Sequence, residues 1–280
     1  MTGLVLEGGG MRGMFTAGVL DVMMEDGIFF DGVIGVSAGA AFGCNYKSNQ
    51  IGRSIRYNIK YCKDKRYCSV YSLVRTGDIF GAQFCYHELP ERLDKFDYTA
   101  FSNNPTAFYV VCTDVLTGEP IYKQIETADY GEMEWIRASA SLPLVSRIVE
   151  VDNKKLLDGG LADSIPLKYF QSIGYEKNVV VLTQPDRYVK KPNKANGVIK
   201  MQYRKYPELV KAANNRHLMY NTQLEYVKNA EKSGSTFVIK PDCALPIGRI
   251  ERNPDNLKRA YEIGRAHMEK QLPKLKEFLK

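Results

Sequence analysis

Short apolar runs recur along the chain, and most are separated by segments long enough to hold a helix. An uninterrupted run such as Val179 to Leu182 is typical of a strand that is buried on both faces of a parallel sheet. The Asp152-Asn153 pair between two other runs predicts a tight hairpin turn. The sequence predicts strands at residues 4–6, 33–36, 107–114, 121–123, 148–151, 155–157, 179–182 and 236–239.

Apolar side chains three or four positions apart predict helices in the segments between these strands. The predicted helices cover residues 14–27, 38–46, 51–61, 87–96, 132–141, 166–173, 208–232 and 254–280. We expect Pro90 in the first turn of its helix, and Ser164 or Asp163 as the cap of the helix at residue 166.

The last predicted helix follows Asn253-Pro254, a cap residue and a proline suited to a first helical turn. Its apolar stripe should pack against the body of the protein: Leu257, Tyr261, Gly264, Met268, Leu272, Leu275 and Leu279. The alternation of strands and helices indicates an α/β fold with a mostly parallel sheet.

Length and composition fit an ordinary globular protein. The 280 residues can form one large domain, with 44% hydrophobic and 25% charged residues. No apolar run approaches the roughly 18 residues that indicate a membrane-spanning helix. Residues 1–7 lack the features of a signal peptide, and position 2 is not the Gly that myristoylation requires. We therefore expect a cytoplasmic protein.

The six cysteines are scattered without a Cys-x-x-Cys pair, so we expect free thiols in a reducing compartment. His87, His217 and His267 are far apart in the sequence, and each lies in a helical pattern among charged residues. We expect them at the surface. The sequence therefore predicts neither a metal site nor a cofactor.

The net charge of +7 is concentrated in two segments. Residues 187–216 contain nine basic side chains and one acid, and residues 53–66 contain six basic side chains and one acid. A solvated basic face is the favoured interpretation. The alternative is contact with an anionic membrane surface, at about 1 kcal/mol per basic group. Because no nucleic-acid-binding motif is present, nucleic acid is not an expected partner.

A glycine-rich loop follows the first predicted strand. Residues 8–13 match the dinucleotide-binding pattern Gly-x-Gly-x-x-Gly, but the second strand ends without the acid that would bind a ribose. Exposed amides of Gly8, Gly9 and Gly10 would instead form an anion site. Beside a nucleophile this is an oxyanion hole, with each donor worth about 2.7 to 4 kcal/mol. Arg12 either adds positive charge there or packs the loop.

A second motif, Gly35-Val36-Ser37-Ala38-Gly39, lies between a predicted strand and a predicted helix. In this context the Gly-x-Ser-x-Gly pattern indicates a catalytic serine, because a sharp turn between a strand and a helix exposes the serine hydroxyl as a nucleophile. Ser37 as a simple helix cap is the alternative. A third motif, Asp158-Gly159-Gly160, ends the predicted hairpin, where Asp158 is either a base or part of a turn.

These three motifs resemble those of the bacterial patatin-like phospholipase family, and Arg137–Pro143 resembles the family's Ala/Ser-rich run. The resemblance covers residues 3 to about 185. The resemblance implies a three-layer α/β sandwich. It also implies Ser37 as the acylated nucleophile and Asp158 as its base. The remaining implied site residues are Gly8, Gly9 and Gly10 as oxyanion donors, Arg12 and Gly13 as loop-shaping residues, and Gly35 and Gly39 in the nucleophile turn.

The resulting hypothesis is a serine acyl hydrolase for fatty acyl esters or phospholipids, of the phospholipase A, lysophospholipase or carboxylesterase type. An acyltransferase or thioesterase with the same dyad, or a non-catalytic lipid-binding protein, is the alternative. A carboxylate with a pKa near 4 is a weak base for serine, so we expect a water-poor pocket that raises it. Aromatic residues between Tyr67 and Tyr86 are our candidate for the acyl-chain region. We expect a catalytic core at 1–185, and a basic, mainly helical extension at 186–280 that completes the same globular unit.

Overall fold

A computed structural model describes residues 1–280, in which eight strands form one sheet. The strand order is β5-β6-β3-β2-β1-β7-β8, and β4 pairs with β3 beside this path. The strands are β1 (Thr2–Leu6), β2 (Gly32–Val36), β3 (Ala107–Asp114), β4 (Pro120–Ile125), β5 (Val149–Val151), β6 (Lys154–Asp158), β7 (Lys177–Val181) and β8 (Thr236–Ile239).

The five strands β3, β2, β1, β7 and β8 run parallel to their neighbours, whereas β4, β5 and β6 pair antiparallel at one side. All five residues of β2 are buried, as expected for an inner strand that is covered on both faces. The predicted Asp152-Asn153 turn joins β5 to β6, and both residues have positive φ angles, as that turn requires. The predicted mostly parallel sheet is confirmed.

Ten α-helices complete the fold. They are α1 (Gly13–Glu25), α2 (Ala38–Lys47), α3 (Arg53–Tyr61), α4 (Val70–Thr76), α5 (Tyr98–Asn103), α6 (Tyr130–Ser139), α7 (Leu167–Ser172), α8 (Asn196–Gln202), α9 (Pro207–Lys232) and α10 (Pro254–Leu279). None of them contains an apolar stretch of the length that would cross a bilayer.

Alternate side chains of the central strands enter two separate cores. Leu4 and Leu6 pack with residues of α1, α2 and α10, whereas Val5 packs with Phe170 of α7 and Tyr220 of α9. Because successive side chains of a strand point to opposite faces, helices cover both sides of the sheet. The architecture is the predicted three-layer α/β sandwich.

The apolar stripe of α10 packs against the body of the protein, as predicted, and its main partner is α1. Leu257, Met268 and Leu275 are fully buried. At Gly264 the helices approach so closely that a Cβ atom would lie 2.1 Å from the carbonyl oxygen of Phe15. The phenol of Tyr261 also donates a 2.6 Å hydrogen bond to the buried carboxylate of Asp21.

Two local predictions are wrong. Residues Phe84–Leu93 form a π-helix that contains Pro90, rather than a helix with Pro90 in its first turn. Proline lacks the N–H group that an α-helix needs, and the wider π turn carries the chain past it. Neither Ser164 nor Asp163 caps α7, because the Ser164 hydroxyl donates to Gly160 and the Asp163 carboxylate accepts from Tyr122 and Gln223.

Candidate active site

Ser37 lies in a sharp turn between β2 and α2. Its backbone has φ 55° and ψ −119°, a region that non-glycine residues rarely occupy and that costs about 1 to 3 kcal/mol. The turn is tight on both sides. A Cβ atom at Gly35 would lie 2.6 Å from the amide nitrogen of Ala40, and one at Gly39 would lie 2.4 Å from the carbonyl oxygen of Leu6. The two glycines of the motif are therefore required by packing.

A buried serine holds this turn in place. The backbone N–H of Ser37 donates to Oγ of Ser139 at 2.9 Å, and that hydroxyl donates to the carbonyl of Val111 at 2.7 Å. The side chain of Ser37 makes no capping hydrogen bond to α2. The alternative that Ser37 serves only as a helix cap is therefore wrong, and its hydroxyl is left available.

The glycine loop presents unpaired amides next to Ser37. The N–H groups of Gly8, Gly9 and Gly10 donate to no acceptor within the protein, whereas the next amide, that of Met11, donates to the carbonyl of Arg249 at 3.0 Å. A Cβ atom at Gly8 would lie 2.9 Å from the Cβ of Ser37. Gly8 therefore lies directly against Ser37, and free backbone amides beside a nucleophile can bind a developing oxyanion.

Asp158 ends β6 and is almost completely buried. Its Oδ1 accepts a 2.8 Å hydrogen bond from the N–H of Gly160, and its buried Oδ2 has no partner. Burial raises the pKa of this carboxyl, while the nearby guanidinium of Arg216 and hydroxyl of Ser37 act in the opposite direction. The Ser37 hydroxyl is close, but it does not complete a hydrogen bond of normal geometry. Such contacts commonly tighten only when substrate binds.

One cavity joins these groups. Ser37, Asp158, Gly8, Gly9 and Gly10 all line it, together with Arg12. Gly13 is not on the cavity surface but begins α1, where a Cβ atom would lie 2.7 Å from the ring of Phe42. The three motifs, which are far apart in sequence, thus converge in space.

A second, apolar cleft meets this cavity at Ser37, Gly10 and Leu142. It contains about 830 Å³ of empty space, open solvent included, and most of its lining is hydrophobic, as is usual for small-molecule sites. Of the aromatic residues between Tyr67 and Tyr86, three line the cleft: Tyr67, Phe80 and Tyr86. Phe84 is buried outside its lining, and Tyr71 is exposed.

The histidines do not reach this region. His87 is buried rather than exposed, because its ring stacks on Tyr130 and its Nε2 lies 2.8 Å from Oε1 of Glu134. This corrects the expectation of a surface position. His217 contacts the carbonyl of Asn214, and His267 lies beside Asp242. None of the three lines the cavity at Ser37 or the apolar cleft.

Several cavity residues escape sequence reasoning. Glu7 follows β1, and its carboxylate accepts hydrogen bonds from the amide of Thr183 at 2.6 Å and the phenol of Tyr220 at 2.5 Å. Lys190, Arg216 and Arg249 also line the cavity. The first two belong to the basic segment 187–216, for which a solvated face is the favoured interpretation. No local pattern distinguishes them from their exposed neighbours.

Comparisons with known proteins match two parts of the chain. A family model described as Patatin-like phospholipase matches residues 4–170, and one described as Domain of unknown function (DUF6363) matches residues 206–280. The uncharacterized protein YjjU of Escherichia coli K12 is 26% identical over 94% of this chain and 74% of its own length. An uncharacterized NTE family protein of Mycobacterium bovis is 25% identical over 64% of this chain and 48% of its own.

Two further matches are more distant or more partial. Lysophospholipase NTE1 of Pyricularia oryzae is 28% identical over 62% of this chain, which corresponds to 11% of that protein. The crystal structure of VipD from Legionella pneumophila aligns over 98% of this chain and 67% of its own, with a TM-score of 0.47 and 12% sequence identity.

Proposed function

The chain belongs to the patatin-like phospholipase family, whose model covers more than half of it, and from this premise we propose that it is a serine hydrolase of fatty acyl esters. One observation carries the proposal: a serine in a strained turn, a buried carboxylate and three free amides line the same cavity. The lysophospholipase among the relatives supports a lipid ester as substrate.

In the proposed mechanism the acyl chain lies in the apolar cleft and the ester carbonyl lies next to Ser37. Asp158 takes the proton of the Ser37 hydroxyl while the oxygen attacks the carbonyl carbon. The resulting oxyanion accepts hydrogen bonds from the amides of Gly8, Gly9 and Gly10. Each donor is worth about 2.7 to 4 kcal/mol of barrier.

The tetrahedral intermediate then collapses, and the C–O bond to the alcohol breaks. Asp158 returns its proton to the departing alcohol, which leaves an acyl ester on Ser37. Water enters, loses a proton to Asp158 and attacks this acyl ester. A second collapse releases the fatty acid and restores the Ser37 hydroxyl.

The environment of Asp158 supports its role as the base. Burial raises the pKa of its carboxyl, which brings its basicity closer to what proton transfer near neutral pH needs. Its Oδ2 has no hydrogen-bond donor, so one oxygen is free to accept the serine proton.

The test is covalent labelling with a fluorophosphonate, followed by mass spectrometry and an ester-cleavage assay. We expect one label, on Ser37, and we expect Ser37→Ala to abolish both labelling and cleavage. Asp158→Asn should remove nearly all cleavage while the protein stays folded by circular dichroism. Each carboxamide or alanine variant removes one partner of the proposed proton transfer.

Three control variants complete the test: His87→Ala, His217→Ala and His267→Ala. Each should retain most of the cleavage rate, since none of these rings lines the cavity. A large loss in any one of them contradicts a Ser-Asp dyad. Absence of labelling on Ser37 favours a non-catalytic lipid-binding protein, and acyl transfer to an added alcohol or thiol acceptor favours a transferase.

We propose that the protein contacts anionic lipid surfaces through α4. The Val70 and Val74 side chains are 70% and 82% exposed, and Tyr71 is 52% exposed. Exposed basic residues lie close to this apolar face in the sequence: Lys63, Lys65 and Arg75. An apolar face flanked by cations is the usual composition of a segment that lies in a membrane interface. Tyr67 and Phe80, on either side of α4 in the sequence, line the apolar cleft.

We also propose a catalytic core at residues 1–185 and a C-terminal extension at 186–280 that completes the same unit. Pairing of β8 with β7 and packing of α10 on α1 support this arrangement. A cytoplasmic location is part of the proposal, supported by the six free cysteines, of which only Cys243 is exposed.

A further inference from the structure

Four cationic side chains line the cavity at Ser37: Arg12, Lys190, Arg216 and Arg249. They come from separate parts of the chain. Arg12 belongs to the glycine loop, Lys190 to the loop after β7, Arg216 to α9, and Arg249 to the loop before α10. Only two carboxylates face them, those of Glu7 and Asp158. The cavity therefore carries an excess of two positive charges when all of these groups are ionised.

The protein supplies no counterion for this excess. None of the four cations forms an ion pair or donates a side-chain hydrogen bond within the protein, and the buried Nε atoms of Arg12 and Arg216 have no partner. The ammonium of Lys190 lies over the ring of Tyr220, 4.3 Å from its centroid. Unpaired buried charge is costly, and natural proteins keep it where a ligand completes the pairing.

The cost of this unpaired buried charge appears in the pKa of Lys190. Burial and the neighbouring guanidinium groups of Arg216 and Arg249 lower the pKa of this lysine to about 7. An anion bound among these groups would offset the repulsion between Lys190 and the two guanidinium groups, and it would favour the protonated form of the lysine. The cluster is thus electrostatically prepared for a negative ligand.

The position of Ser37 fixes which part of a substrate meets this cluster. The apolar cleft and the cationic cavity share only Gly10, Ser37 and Leu142. An ester bound with its carbonyl at Ser37 places its acyl chain in the apolar cleft. Its alcohol portion then lies in the cavity with the four cations.

Resting on the proposed hydrolase function, we infer that the preferred substrate is an acyl ester whose alcohol carries a phosphate monoester. A phosphate monoester carries up to two negative charges, which match the two excess positive charges of the cavity. Its three terminal oxygens can accept from several donors at once, and guanidinium groups suit phosphate geometry. A choline headgroup would bring a further cation toward the cluster.

The experiment compares three substrates with the same acyl chain, each dispersed in neutral detergent micelles: lysophosphatidate, lysophosphatidylcholine and monoacylglycerol. We expect kcat/KM to be highest for lysophosphatidate, by about tenfold or more over monoacylglycerol, the effect of one good charge-assisted hydrogen bond. Free glycerol 3-phosphate should inhibit competitively, and inorganic phosphate should inhibit more weakly if the glycerol contributes. Inhibition by inorganic phosphate alone, without any preference among the esters, overturns the inference.

Two variants, Lys190→Gln and Arg249→Gln, test whether the cations of the cavity cause the preference for lysophosphatidate. Each should lower the ratio of kcat/KM for lysophosphatidate over monoacylglycerol by about tenfold, mainly through KM. Lys191→Gln is the matched control, because it removes the same charge from the adjacent, exposed position outside the cavity. The backbone carbonyl of Arg249 remains in place in Arg249→Gln, so the glycine loop keeps its hydrogen bond.

The outcomes separate this inference from the proposed function. Equal kcat/KM for the three esters in the wild-type protein, or an unchanged ratio in both variants, overturns the inference and leaves the hydrolase proposal intact. Failure to cleave any of the esters, with Ser37 unlabelled by fluorophosphonate, overturns both.

Discussion

As the proposed base, Asp158 has to be ionised although its carboxylate is almost completely buried. Its ordinary acidity is weakened by burial and partly restored by the positive charge of Arg216. The two effects oppose each other, and burial is the larger one. Arg216 is therefore the strongest of the groups that oppose the effect of burial on the pKa of this carboxyl, although it forms no ion pair with it.

This balance predicts the pH dependence of ester cleavage. In the proposed mechanism Asp158 acts in its basic form, so kcat/KM should fall as the pH drops through the pKa of this carboxyl, which burial raises above the usual value of 3.8. Arg216→Gln removes a charge that lowers this pKa, so the acidic limb should move to higher pH. A short neutral chromogenic ester reports the shift without involving the phosphate position.

Arg204→Gln provides the comparison, since Arg204 is exposed on the protein surface. The acidic limb of the pH dependence of kcat/KM for Arg204→Gln should coincide with that of the wild-type protein. If Arg216→Gln leaves the limb where it was, or moves it to lower pH, the electrostatic link between Arg216 and Asp158 is wrong.

Among the secondary-structure elements, the contact of α10 with α1 depends on the absence of a side chain at Gly264. A Cβ atom there would lie 2.1 Å from the carbonyl oxygen of Phe15, which is backbone and cannot rotate away. Gly197 in α8 is the opposite case, because no atom lies within 4 Å of its Cβ position. A glycine-to-alanine substitution should therefore have opposite effects on the free energy of unfolding in the two helices.

We expect Gly264→Ala to lower the free energy of unfolding by about 1 to 3 kcal/mol, through overpacking that forces the helices apart. Gly197→Ala should raise it by about 0.5 to 1 kcal/mol, because alanine loses less backbone entropy in a helix. Urea denaturation followed by circular dichroism measures both. Stabilisation by Gly264→Ala contradicts the described helix packing.

The elements differ in how well their sequences reveal them. The strands β2, β3 and β8 were predictable within a residue, because their apolar runs are bounded by turn residues. The π-helix at Phe84–Leu93 was not, since its shape reflects how Pro90 is accommodated against the surrounding core. The short helices α4, α5 and α8 were not predicted either, because six or seven residues show little periodicity. The equally short α7 was predicted because Pro166 marks its start.

At the level of the whole molecule, the proposed membrane contact through α4 predicts that the protein binds anionic vesicles. We expect the protein to sediment with phosphatidylglycerol vesicles and much less with phosphatidylcholine vesicles, since the cations around α4 contribute about 1 kcal/mol each near an anionic surface. Val70→Asp and Val74→Asp should reduce sedimentation, because each places an acid on the apolar face.

Val198→Asp in α8 is the control, as this valine is also exposed, at 50%, but lies in a different helix. It should sediment like the wild-type protein. Equal loss in all three variants would indicate a general charge effect rather than an interface at α4.

The site as a whole divides into a part that local sequence reveals and a part that it does not. Ser37, Asp158 and the glycines each stand in a short motif at the end of a strand, so the sequence identified them as candidates, and the three motifs together indicated their roles. Lys190, Arg216 and Arg249 are spread over 60 positions without a common pattern. The tertiary fold brings them to the cavity: Arg216 lies on α9, the backbone of Lys190 hydrogen-bonds to Asn221 of the same helix, and Arg249 is in the loop that accepts from Met11.

The hydrogen bond from Met11 to the carbonyl of Arg249 ties the glycine loop to a segment more than 200 positions away. A Cβ atom at Gly10 would lie 2.5 Å from that same oxygen, so the loop is pressed against it. A glycine loop grafted into another scaffold would therefore need the segment that contains Arg249 as well. The same holds if this N-terminal half is recombined with a foreign C-terminal half. Without that segment the amides lose their support and can turn away from the serine.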